Sequence, residues 1–190
     1  FLEYSNHQYK AMKNAYAGHL KYSFQLRPHT VADQAYIGAY QGIGVGYFNF
    51  GNPEELGNPL AVYLFQGGRI AQFSPRISLN YEWNFGASFG WKPYDEYDNP
   101  ENQIIGSKVN AYLNVNLYLK WALSPKFDLM IGTTGSHFSN GNTQYPNSGL
   151  NTVDCKVGLV YNFNRRADEL AQSWPVSYTH LRAHETLANL

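Results

Sequence analysis

The chain has 190 residues with no formal net charge; 15% are charged, 16% aromatic and 44% hydrophobic. That length fits one domain, and the charge balance leaves no electrostatic footprint for nucleic acid. Mean hydropathy is −0.44 and no apolar run approaches the roughly 20 residues of a membrane helix, which excludes a helical spanning protein but not a membrane β-barrel, whose strands alternate and average out polar.

Residues 1–15 carry no strand pattern and are expected to form an extracellular loop and remnant ahead of the first visible strand. From 16 to 166 the dominant signal is period two, which sends successive side chains to opposite faces of a strand. Tyr16 to Arg27 alternates through Leu20, Tyr22, Phe24 and Leu26. The stretches 36–49 and 60–73 alternate less cleanly, and Gly42, Gly44, Gly46, Gly67 and Gly68 predict bulges or a crowded interior. Between 77 and 91, Ile77, Leu79, Tyr81, Trp83, Phe85, Ala87, Phe89 and Trp91 share one face, opposed by Ser78, Asn80, Glu82, Asn84 and Ser88. Residues 108–121 repeat the pattern, with Val109, Leu113, Val115, Leu117 and Leu119 opposed to Asn110, Asn114, Asn116 and Lys120. Two further strands follow, over 126–139 and 151–163. Residues 167–190 are expected to be a non-barrel tail. Within it His180 and His184 have helical zinc spacing, but 175–190 reads PVSYTHLRAHETLANL, which looks like an appended artefactual sequence rather than a metal site. Its natural alternative is a periplasmic helix.

Alternation alone does not say whether the apolar face points inward or into lipid. The polar face decides, because it is mostly Asn, Ser, Gly and Tyr, whereas a soluble lipocalin-type barrel needs a charged exterior. The expected fold is therefore an all-β, antiparallel outer-membrane β-barrel. Short connections near Ser74-Pro75 and Ser124-Pro125 are expected at the periplasmic end, and the longer ones over 51–59, 93–105 and 140–149 outside the cell. The first visible strand then runs down toward the periplasm. About seven strands are visible where an even number is expected, so the reading is an eight-stranded barrel whose first strand is missing from this chain. The chain opens at Phe1 without a signal peptide and is read as mature or truncated. The lone Cys155 cannot make an internal disulfide.

In the strand over 126–139, the parity of Phe127, Leu129 and Ile131 continues to His137 and Ser139. Asn151 shares the parity of Val153, Val157 and Leu159 in the next strand. Three polar groups are thus expected to face lipid near the outer-leaflet end, which is costly unless they bond one another or a substrate. Their types suit nucleophilic catalysis: a serine needs a base to take its proton, and the base needs a third group to orient it. A bare His-x-Ser tripeptide is common by chance and by itself better fits polar side chains at a headgroup boundary.

The run HFSNGNTQYPNSGLN, from His137 to Asn151, resembles the active-site segment of the lipid A 3-O-deacylase, or acyloxyacyl hydrolase-like, family. His-x-Ser-Asn and Pro-Asn-x-Gly stand at matching distance. The resemblance implies a serine esterase of the outer membrane that removes an ester-linked acyl chain from lipid A, and so modifies lipopolysaccharide, with Ser139 as nucleophile and His137 as general base. The family's third member is a glutamate, and Asn151 stands there instead. An amide carbonyl still accepts a hydrogen bond from histidine but does not stabilise imidazolium as a carboxylate does. By parity Asp128 and Asp154 point into the lumen, which leaves Asp98 or Glu101, on the loop after Trp91, as acids that would have to reach over the rim. By resemblance, Asn147 and the backbone around Asn142 are candidate oxyanion donors, with Asn140 beside them; Asn-Gly and Pro-Asn-Ser-Gly also suit a tight loop whatever its function.

No cofactor or metal is expected. The acidic loop Asp95, Glu96, Asp98 and Glu101 reads as solvated rather than cation-binding. Gly42-Ile-Gly-Val-Gly46 opens no helix and reads as barrel packing, not a dinucleotide fingerprint. The expected partners are lipopolysaccharide and outer-membrane lipid. The alternative function is a non-enzymatic barrel that binds lipopolysaccharide or stabilises the membrane, which the amide at Asn151 would suit; a soluble lipid-binding barrel is a third class.

Overall fold

The structure, a computed structural model, describes residues 15–25, 31, 36 and 38–165. Seven strands form one antiparallel sheet in chain order: β1 (Tyr16–Gln25), β2 (Tyr40–Asn49), β3 (Gly57–Ser74), β4 (Ile77–Trp91), β5 (Val109–Ala122), β6 (Phe127–Ser139) and β7 (Leu150–Tyr161). The sheet curls strongly into a partial barrel. Its two edges approach each other: the rings of Tyr22 on β1 and Phe163, just beyond β7, have centroids 6.3 Å apart.

The alternation in the sequence becomes two faces of opposite chemistry. Leu64, Phe85, Val115 and Leu117 are exposed on the convex face, while Asn80, Glu82, Asn84, Asn114, Asn116 and Asp128 are buried on the concave one. Water against such an apolar exterior would forgo about 1.5–3 kcal/mol for each large side chain; a bilayer removes that cost. The inversion of the usual burial pattern is what a membrane barrel requires. Inside, charge is paired. Lys21 of β1 bonds Glu82 of β4, and Lys156 of β7 lies 3.7 Å from the same carboxylate while donating to Asn116 Oδ1 at 2.8 Å. Nearer the tight turns, Arg165 pairs with the buried Asp128 at 2.7 Å. The first pair of contacts ties β1, β4 and β7 together through the interior.

Of the two readings of these glycines, the crowded interior holds and the bulge does not, because the register runs unbroken through all five. At Gly44 a Cβ would stand 2.5 Å from the Tyr63 ring, and at Gly67 2.3 Å from the Tyr40 hydroxyl, so these positions are bare because inward tyrosines fill the space. Register shifts in β3 fall instead between Arg69 and Ala71 and between Gln72 and Ser74.

The interior differs from expectation at one end, where Trp91, expected on the face of Phe85 and Phe89, turns inward after Gly90, whose φ is 87°. It is polar through the middle, but Phe48, Phe50, Trp91, Tyr112 and Phe138 form an aromatic cluster beneath Leu56, Ile104 and Ile105. The reason lies in the loops, which fold over this end and supply apolar partners that the tight-turn end lacks. Residues 75–76 and 123–126 make the short connections, and 50–56, 92–108 and 140–149 make the long ones at the opposite end. The 26–39 connection is longer than the other turns on its side and lies mostly outside the described residues. So do 1–14 and the 167–190 tail with His180 and His184.

Candidate active site

One row of register partners crosses the sheet: Tyr22, Ile43, Leu64, Phe85, Leu113, His137 and Asn151. Its first five members are exposed and apolar. The last two are polar, and Ser139 follows two residues after His137 on the same face of β6. The strand pattern that built an apolar exterior thus breaks at one place, next to the 140–149 loop.

The three side chains form a chain of hydrogen bonds. His137 Nδ1 lies 2.7 Å from Asn151 Oδ1, and His137 Nε2 lies 3.0 Å from Ser139 Oγ. An amide oxygen only accepts, so Nδ1 carries the proton and donates it to Asn151. Nε2 is then left with its lone pair, and the Ser139 hydroxyl donates to it. This tautomer is the one in which a histidine takes a proton from serine.

Phe138 holds the pair in place. It points inward from between them, is fully buried, and packs edge-on against Phe48, Phe50 and Trp91 at centroid distances of 5.0, 5.6 and 5.2 Å. A strand cannot rotate one residue inward without sending its neighbours outward. The aromatic cluster therefore fixes the direction of His137 and Ser139.

A cavity of about 440 Å³ opens beside them, lined by His137, Ser139, Gly141, Asn142, Asn147, Ser148 and Gly149. Asn147 organises its wall: its Oδ1 accepts the Asn140 N–H at 3.1 Å, and its Nδ2 donates to Asn142 Oδ1 at 3.1 Å. One hydrogen of that amide has no other partner in the loop. Asn140 stands differently. Its N–H is spent on Asn147 and its side-chain amide donates to Gln144 O at 2.7 Å, so it shapes the loop and does not line the cavity. Gly141 and Asn142 both have positive φ, 65° and 63°, a turn that asparagine and glycine tolerate.

Gly149 is one of three lining residues, with Gly141 and Ser148, that pattern reading passed over. Its φ is 70°, and a Cβ there would stand 3.1 Å from His137 Cε1, so a side chain would press on the imidazole. The Ser-Gly dipeptide signals a turn, but only the fold shows which ring it faces.

Asp98 and Glu101 do not reach His137, whose ring nitrogens are taken by Asn151 and Ser139. In their loop, Asp95 Oδ1 accepts the backbone N–H of Tyr97 at 2.9 Å and of Asp98 at 3.0 Å. Those two donors hold the Asp95 carboxyl below the usual carboxylate range. No cluster of His, Cys, Asp and Glu suited to a metal ion occurs among the described residues.

No curated protein and no solved structure matches the chain. A family model does: that of lipid A 3-O-deacylase (PagL) matches residues 63–160, just over half the chain, from the middle of β3 to the end of β7, and takes in His137, Ser139, Asn147 and Asn151. That match, over a strongly curled all-β antiparallel sheet, places the chain in the lipid A 3-O-deacylase family of ester hydrolases.

Proposed function

We propose that this protein hydrolyses the 3-O-acyl ester of lipid A at the outer-leaflet end of the barrel, with Ser139 as nucleophile, His137 as general base and Asn151 as the group that orients the base. The observation that carries this reading is the bond sequence Asn151–His137–Ser139 on the lipid-facing surface. An ester of a membrane lipid lies near the boundary between headgroup and chains, and a site on the outer wall meets it without extracting it from the bilayer.

Ser139 Oγ attacks the ester carbonyl carbon as its proton passes to His137 Nε2. The tetrahedral oxyanion faces the free hydrogen of the Asn147 amide, and the backbone around Asn142 borders the same space. Collapse breaks the bond to the sugar oxygen, which takes the proton from the imidazolium and leaves as a hydroxyl. Water then attacks the acyl-serine, again giving its proton to Nε2. The fatty acid departs and Ser139 recovers its proton.

Asn151 accepts the Nδ1 proton but carries no charge, so it orients the imidazole without stabilising the imidazolium. The test is mass spectrometry of lipid A after incubation with the purified full chain in detergent. Loss of one 3-O-linked acyl chain, and its retention with Ser139→Ala, is the expected result. Unchanged lipid A with a folded parent protein would overturn the assignment and favour a lipopolysaccharide-binding barrel.

A further inference from the structure

We propose that Asn102 is a positioning residue for this reaction, acting through Asn147, and the inference rests on the reading of Asn147 as the oxyanion donor. Asn102 lies in the 92–108 loop, away from the cavity, yet it is fully buried. Its side chain is completely used. Nδ2 donates to Lys92 O at 2.7 Å and Glu55 O at 3.2 Å, and Oδ1 accepts the N–H of Ile104 at 3.0 Å and of Ile105 at 3.1 Å. One amide thus ties the 50–56 loop and the end of β4 to the segment 104–105.

That segment is the seat of the active-site loop. Ile105 is fully buried and forms an antiparallel bridge with Asn147, and Ser148 Oγ donates to Gln103 O at 3.1 Å. The next residue, Gly106, lies so close that a Cβ there would stand 2.6 Å from the Tyr145 carbonyl carbon and oxygen. The 140–149 loop is therefore packed backbone to backbone on 103–106, and Asn102 sets the position of that surface. Asn147 of the same loop lines the cavity together with Ser139. An oxyanion donor must sit at hydrogen-bond distance from a charge that exists only in the transition state, so a shift of the seat acts on turnover more than on binding.

The test is a double-mutant cycle measuring kcat and KM on lipid A in micelles for the full chain, with folding followed by heat-dependent gel mobility. Asn102→Ala is expected to lower kcat by about a hundred-fold, the size of loss that a shift of about 1 Å produces, with KM little changed. In an Asn147→Ala background the same substitution should cost less than about three-fold, because coupled residues share their effect. Gly106→Ala is the second variant: it pushes the loop off its seat, leaves every Asn102 bond intact, and should show the same loss and the same coupling even if Asn102→Ala does not fold. Equal losses of kcat in both backgrounds would overturn the positioning role alone. An Asn147→Ala enzyme as fast as the parent would overturn the oxyanion reading, and this inference with it.

Discussion

Phe138 and His137 are neighbours on β6 that face opposite sides of the barrel wall, one sealed among aromatic rings and the other bonded to Ser139 and Asn151 on the outer face. The inward ring holds the outward imidazole. Phe138→Ala should therefore cost about 3–5 kcal/mol of stability, as for other large-to-small aromatic changes in a packed core, and should lower deacylation beyond what unfolding explains. Unfolding midpoints in micelles, set beside kcat measured well below the midpoint, check both parts. Full activity in a destabilised variant would show that the site does not depend on this anchor.

Ser139→Ala should remove activity by about a million-fold, the scale of losing a catalytic serine, while the barrel unfolds at the parent's midpoint. The side chain is a small part of the outer face and supports no interior contact. Residual turnover near the parent's would assign the nucleophile elsewhere.

Asn151 gives the sharpest comparison. Asn151→Ala should slow turnover by leaving Nδ1 without its acceptor. Asn151→Glu should preserve or raise it, since a carboxylate cannot offer an N–H in place of the acceptor and does stabilise the imidazolium; the same exchange in a serine protease triad changes turnover by about ten-thousand-fold. Parent and both variants are compared on lipid A in one detergent. An active parent insensitive to both changes would remove Asn151 from the mechanism.

Glu82→Gln should destabilise the barrel by about 3–5 kcal/mol, because it leaves Lys21 and Lys156 in the interior without their shared carboxylate. Glu82 faces the lumen, so kcat at permissive temperature should match the parent's. Denaturant titration of the folded protein reads the first effect. A Glu82→Gln barrel as stable as the parent would show that the cross-lumen tie is dispensable.

Turnover should survive chelation of divalent cations, since a serine nucleophile activated by histidine needs no metal. The measurement is deacylation before and after treatment with a chelator and after metal is added back. A complete, metal-reversible loss with the barrel still folded would point to different chemistry.

The alternating pattern determined a great deal by itself. A side-chain period of two assigns the residues of a regular strand to one face, so the outward parity of His137, Ser139 and Asn151 was legible without coordinates, as were the strands that carry them; it failed at Trp91, where the positive φ of Gly90 breaks the alternation. Parity says which face a residue occupies but not which residues meet. Only the tertiary structure aligned β6 with β7 so that His137 stands opposite Asn151, and so took Asp98 and Glu101 out of contention. It alone turned Asn140 into a loop brace, set Gly149 against the imidazole, and packed the 140–149 loop on residues 103–106. The last of these joins loops far apart in the chain, Ser148 to Gln103 being 45 residues, and the geometry of all of them depends on individual backbone bonds and close approaches that no periodicity encodes. The aromatic cluster was hidden for a related reason. Inward-facing Phe48, Phe50, Trp91 and Phe138 come from three strand ends and a loop, and only the curl of the sheet brings them together.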